Sequence, residues 1–165
     1  MLDDWTGWLN QHGAALVLFA RQWAPNQADA EDIVQEGFVR FWRSRHRTGD
    51  PVAYLYTCVK HYALEWLRSR RRRSRREEAA ARSELLAGDT LFTGPLEQEE
   101  RREVLEKALR SLPETQREVL VLKIWGGLAF PQIAEALHMP VNTAASRYRY
   151  ALAKLREQLA EEPIP

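Results

Sequence analysis

ADAEDIVQEGFVRFW, residues 28–42, is the stretch that decides the fold. Apolar Ile33, Val34, Gly37, Phe38, Phe41 and Trp42 recur at three- and four-residue steps, which is the period of one helix face. Asp32, Gln35, Glu36 and Arg40 fall on the other side, and Asp29, Glu31 and Asp32 sit in the first turn, where acids suit the positive end of the helix dipole. The segment therefore predicts an amphipathic helix with a broad apolar stripe and a polar, mostly acidic outer face.

The flanks repeat the pattern. Leu9, Gly13, Leu16, Val17, Ala20 and Trp23 predict a helix over 8–23 that stops at Pro25-Asn26. Downstream, Thr48-Gly49 makes a turn, and Asp50-Pro51 is an N-cap followed by proline at the first helical position. A third helix then runs from about Val52 into the arginines at 68 and 70–73, continuing to Arg75 and Arg76. Beyond Arg76 the sequence becomes rich in Ala and Glu, with turn signals at Gly88-Asp89 and Thr93-Gly94-Pro95 and a new helical pattern from about Leu96. Ser111-Leu112-Pro113-Glu114 has capping-box spacing ahead of a helix through Ile124, which Gly126-Gly127 breaks. A short helix over 131–137, a turn at His138-Met139-Pro140 and a long helix over about 141–160 complete the pattern. The fold class is all-α: two small helical domains, 1–76 and 104–165, joined by a flexible linker over 77–103.

Composition narrows the function. The 165 residues are 45% hydrophobic and 28% charged, enough for folded domains rather than a disordered chain. Cys58 is the sole cysteine, so there is no internal disulfide, and scattered His12, His46, His61 and His138 make no zinc cluster with it. Cys58 itself reads as a small buried hydrophobe. No metal site, cofactor, glycine-rich phosphate loop or partnered nucleophile is expected, which argues against an enzyme. Without an apolar run near the length of a membrane span, and with acids at Asp3 and Asp4 where an export signal is basic, the expected location is the cytoplasm.

The net charge of +1 hides an asymmetry of +5 over residues 1–76, −4 over 77–110 and zero over 111–165. The arginine run admits two readings, an electrostatic footprint for phosphates or a solvated helix end at the negative pole of the dipole. Interleaved aromatics upstream, Tyr54, Tyr56, Tyr62 and Trp66, suit stacking on unpaired bases, although four-residue spacing assigns much of that set to a core. Residues 131–155 have the layout of a helix-turn-helix, with Ala144, Tyr148, Ala151, Leu152 and Leu155 inward and Asn142, Thr143, Ser146, Arg147 and Arg149 outward. An ordinary helical hairpin has the same spacing.

A family resemblance supplies what spacing leaves open. Residues 28–42 resemble the core-polymerase-binding helix of the extracytoplasmic-function (ECF) sigma factors of bacterial RNA polymerase, within the sigma-70 superfamily. The likeness continues in family order through Ala53-Tyr54-Leu55-Tyr56-Thr57, Ala63-Leu64, Leu112-Pro113 with Arg117, Gly127-Leu128 with Ile133-Ala134, and Thr143 with Ser146-Arg147. It implies a promoter-specificity subunit without catalysis of its own. Its implied core-binding residues are Asp29, Asp32, Gln35, Glu36 and Arg40. Those for the minus-10 element are Tyr56, Lys60, His61, Trp66, Arg68 and Arg71, and those for the minus-35 element Asn142, Thr143, Ala145, Ser146, Arg147 and Arg149. Implied partners are polymerase core, double-stranded and melted promoter DNA, and an anti-sigma protein, with no membrane contact. The chain departs from the family pattern at Lys60-His61, at Glu65 and at Ala144-Ala145. Those departures motivate one alternative, a sigma-like polymerase-binding adaptor without independent promoter recognition; a second alternative is a free-standing helix-turn-helix regulator, against which the Asp29–Trp42 motif argues.

Overall fold

In the computed structural model the described residues are 4–46, 49–74 and 99–161, with only the backbone described over 99–102. They form seven α-helices and no strand: α1 (Trp5–Ala20), α2 (Gln27–Arg43), α3 (Pro51–Ser74), α4 (Glu99–Ser111), α5 (Glu114–Ile124), α6 (Phe130–Leu137) and α7 (Val141–Glu161). The turn signals at 88–89 and 93–95 and most of the 77–103 linker lie outside the described residues.

Short polar side chains set the helix starts. Asp4 accepts from the Gly7 N–H at 2.9 Å and starts α1 nearly one turn ahead of Trp8. Asn26, beyond its role as a stop, caps α2 by accepting from the Asp29 N–H at 2.8 Å. Asp50 caps α3 through the Ala53 N–H at 3.0 Å. The capping box expected at Ser111–Glu114 is not formed. Helix α4 runs through Ser111, whose hydroxyl donates back to the Ala108 carbonyl at 2.6 Å, and Pro113 holds the cap position of α5 without a side-chain bond. Gly127 and His138 take left-handed conformations, φ 68° and 55°, at the two turns bracketing α6. At His138 the chain closes α6 by a Met139 N–H bond to the Ala134 carbonyl at 3.0 Å.

Helices α1, α2 and α3 pack around Leu16, Phe19, Trp23, Ile33, Phe41, Leu55, Tyr56 and Val59, all almost wholly buried. Aromatic rings tie them together, with Phe19 edge-on to both Trp23 and Tyr56 and Trp8 tilted against Phe41. Gly37 lets α2 approach α3 closely: a Cβ built there lies 2.8 Å from both Cα and Cγ2 of Val59. In the second domain Ala108, Leu109, Leu112, Leu120, Ala151 and Leu155 form a core joining α4, α5 and α7.

The two domains pack directly against each other. Val119, Val121, Leu122, Leu128, Ile133, Ala136, Leu137 and Ala144 of the second belong to the same apolar cluster as the core of the first. The patterns of single helices do not foretell this shared core, because each of these residues also fits an internal role in its own domain.

Candidate polymerase and nucleic-acid surfaces

Helix α2 projects Asp32 and Gln35 into solvent, with Asp29 and Glu36 half-exposed beside them. Arg40 turns away toward α3. Its Nη1 lies 2.9 Å from Glu65, its Nε 3.7 Å from Glu36, and its guanidinium sits over the Tyr62 ring at 4.7 Å. Against this polar ridge α1 and α2 leave an open groove of about 820 Å³, with Leu9, Val17, Val34, Phe38 and Trp42 in its walls and Asp32 and Gln35 on the lining as well. The groove joins apolar contact area to carboxylates on a rigid helix, a combination suited to a helical partner carrying basic residues. Its α1 half was not singled out from sequence. Leu9 and Val17 enter the sequence reading only as part of the apolar helix period, and both are partly exposed.

The residues implied for the minus-10 element fall into two groups. Trp66 and Arg68 share a pocket of about 450 Å³ with Tyr62, Ser69, Arg72 and Arg73 on the outer part of α3, where Glu65 adds one carboxylate already paired with Arg40, and Arg71 is exposed nearby. An indole beside several guanidinium groups is a fitting seat for an unpaired base and its phosphates. The other group faces the second domain. Tyr56 is wholly buried, its ring edge-on to His12 at 5.9 Å, and burial pushes its phenol well above the usual tyrosine range. The Lys60 ammonium lies 2.8 Å from Glu118, whose side chain is 4% exposed. His61 is exposed, with its ring stacked on His138 at 6.1 Å.

Burial pushes the Glu118 carboxyl above its ordinary range. The Lys60 hydrogen bond and charge pull it back down, Glu114 raises it, and Arg147 lowers it. Beside it the Arg117 guanidinium is lowered by burial, against raising contributions from Glu114 and Glu118. Its donors go to the Gln22 Oε1 at 3.2 Å and the Leu112 carbonyl at 3.2 Å, so it bonds to both domains. Sequence spacing carries no signal for these pairs, whose members come from different domains.

Helices α6 and α7 form the helix-turn-helix. Ala144, Ala151 and Leu155 are buried on the inner face of α7, and Tyr148 stands edge-on to Phe130 at 5.5 Å. Outward stand Asn142 and Arg149, exposed, with Thr143, Ala145, Ser146 and Arg147 half-buried along the same first turns. Arg149 Nη2 donates to the Ser146 hydroxyl at 3.2 Å, and Arg147 lies against Met139, 3.9 Å from its sulfur. The first turns of α7 thus present an amide, hydroxyls and two guanidinium groups in a strip that fits a major groove. Among the described residues there is no group of three His, Cys, Asp or Glu placed to hold a metal, and no helix long and apolar enough to cross a membrane.

An all-helical chain with an acidic exposed helix face and a helix-turn-helix has the architecture of transcription proteins that read DNA through α-helices. Comparison with known proteins makes this specific. Residues 8–73 match the family model Sigma-70 region 2, and residues 102–155 match Sigma-70, region 4. The ECF RNA polymerase sigma factor SigK of Mycobacterium ulcerans is 31% identical over 135 residues, spanning 79% of this chain and 72% of that protein. The sigma factor RpoE bound to the anti-sigma factor NepR, from Bartonella quintana, superposes with a TM-score of 0.71 at 23% identity, over 97% of this chain and 99% of that one. CnrH in complex with the cytosolic domain of CnrY superposes with a TM-score of 0.63 at 26% identity, over 96% of this chain and 88% of that one. The chain belongs to the ECF sigma factors of the sigma-70 family, noncatalytic subunits that act with RNA polymerase in transcription initiation.

Proposed function

We propose a division of labour in which α2 docks on polymerase core, the outer part of α3 takes melted minus-10 DNA, and the start of α7 reads the minus-35 duplex. The observation that carries it is the α2 face. Asp32, Gln35 and Glu36 stand beside an apolar groove, on a helix locked to α3 by the Gly37–Val59 approach. Such a surface meets the coiled-coil clamp of the largest polymerase subunit with Asp29, Asp32 and Glu36 against its basic residues. Arg40, tied to Glu36, Glu65 and Tyr62, acts by orienting the ridge more than by reaching the partner. Residues 77–103 join the two DNA-reading domains, and the protein works in the cytoplasm, where the polymerase is. The superposed RpoE structure is a complex with the anti-sigma factor NepR, and we assign this chain a partner of the same kind.

The test is transcription in vitro with purified core polymerase over a fragmented genomic library. Discrete starts should appear with the wild-type chain, vanish with Asp32→Arg plus Glu36→Arg, and weaken with Arg147→Ala. Core binding without starts on any template would overturn the assignment of the two DNA surfaces.

A further inference from the structure

Arg40 reaches from α2 to two of the residues that line the Trp66 pocket on α3, without lining the pocket itself. Its Nη1 lies 2.9 Å from Glu65, and its guanidinium sits over the Tyr62 ring at 4.7 Å. The contact that stays on α2, from Nε to Glu36, is looser at 3.7 Å. Arg70 stands over Trp66 in the same way, 5.4 Å from the ring centroid. Each aromatic ring of the pocket therefore has over it a guanidinium group that is not part of the lining.

Glu65 is out of keeping with its surroundings. The lining carries Arg68, Arg72 and Arg73, and Glu65 is its one acid. A carboxylate at such a place opposes an incoming phosphate unless a cation close by matches its charge. Arg40 matches it from outside the lining, so the three lining arginines stay available to a strand. The paired side chains are 38% and 49% exposed, and an ion pair that open to water adds little to stability. What it supplies is geometry, because a planar guanidinium bonded to a carboxylate and stacked on a phenol ring fixes both groups.

We infer that Arg40 is a positioning residue for single-stranded DNA: it neutralises Glu65 and holds the Tyr62 ring in the lining of the Trp66 pocket, so that a strand meets aromatic faces and unopposed arginines. The inference rests on the assignment of the outer part of α3 to melted DNA. It gives α2, the docking helix, a part in DNA binding, and it explains how an acid is tolerated inside a basic pocket.

The test is the affinity of the full chain for a labelled single strand of mixed sequence, about 20 nucleotides long, followed by fluorescence anisotropy over a series of salt concentrations. Arg40→Gln should bind about tenfold more weakly than wild type and Glu65→Gln within about twofold of it, while Arg40→Gln plus Glu65→Gln should return to within about threefold. Recovery in the double variant, which lacks the ion pair altogether, also shows that the single variant did not fail by losing its fold. Two charges that act on the strand independently give a different pattern, in which Glu65→Gln alone tightens binding as much as Arg40→Gln weakens it. That pattern overturns the inference. Since Arg40 leaves the phosphates to the lining arginines, Arg40→Gln should keep the wild-type slope of log affinity against log salt. Arg72→Gln, by contrast, should flatten that slope by about 0.7. Equal flattening by Arg40→Gln would make Arg40 a direct phosphate contact and overturn its positioning role. Trp66→Ala and Arg72→Gln test the underlying assignment separately. If both weaken binding and Arg40→Gln does not, the pocket stands and the role of Arg40 is overturned. If both bind as wild type does, or wild type does not bind the strand, the assignment of outer α3 to melted DNA falls and the inference falls with it.

Discussion

Two glycine-to-alanine substitutions, Gly37→Ala and Gly13→Ala, should shift stability in opposite directions. Both residues lie inside helices, where alanine is favoured over glycine by about 1 kcal/mol. At Gly13 the added methyl meets nothing within 4 Å, so that gain should be kept. At Gly37 the methyl lands 2.8 Å from the Val59 Cα and 3.2 Å from its backbone nitrogen, atoms that no rotamer change can move. Helix α2 must then back away from α3 and loosen Phe38 and Phe41. Overpacking of this kind costs about 1–3 kcal/mol, and the rigid backbone contact places Gly37→Ala near the upper end, for a net loss of about 2 kcal/mol. For a chain of this size that is roughly 4–8 °C in Tm, against a rise of about 2–4 °C for Gly13→Ala. Thermal unfolding followed by circular dichroism at 222 nm, with urea titration for the free energies, measures both. A neutral or stabilising Gly37→Ala would refute the close approach of α2 to α3, and with it the rigidity claimed for the polymerase-facing ridge.

Asp50→Ala removes the α3 cap together with the acceptor for Gln132, so it should cost about 1 kcal/mol in urea unfolding. A change within a few tenths would show that Asp50 does not cap α3. Burial lowers the pKa of His12 below its usual value of 6.5, so the unfolded chain binds that proton more tightly than the folded one. Stability from this group is complete above about pH 6.5 and is lost as pH falls toward the lowered folded value. Unfolding free energies measured over pH 5–7.5 should therefore fall less steeply for His12→Leu than for wild type. Equal slopes would remove His12 from the acid response.

The helices, the Asp50 cap and the turn that closes α6 were legible in the sequence because they depend on local chemistry, whereas the caps at Asp4 and Asn26 were not singled out. The 3.6-residue period of 28–42, the Asp50-Pro51 start and the turn at His138 each need only a few neighbouring residues. The capping box at Ser111 misled because the same Ser-x-x-Glu spacing occurs where a preceding helix overruns the serine. The acidic face of α2 was also legible, since an amphipathic pattern states which side faces outward. The packing of the two domains was not. Trp23 and Glu114 are 91 residues apart, and nothing local distinguishes Glu118 from an exposed acid on α5. Tyr56 shows the same limit, because an aromatic beside basic residues suits a DNA surface and an interdomain core equally well, and only the packing of α5 and the turn after it shows where it lies.

If Asp32 and Glu36 on α2 form the polymerase-docking surface, an equilibrium titration of fluorescently labelled chain with purified core polymerase will show it. Wild type should bind saturably, and Asp32→Arg plus Glu36→Arg should weaken binding about a hundredfold or more while leaving helicity and Tm intact, as expected when two close charge pairs become repulsive. A folded double variant that binds core as tightly as wild type would show that polymerase docks elsewhere.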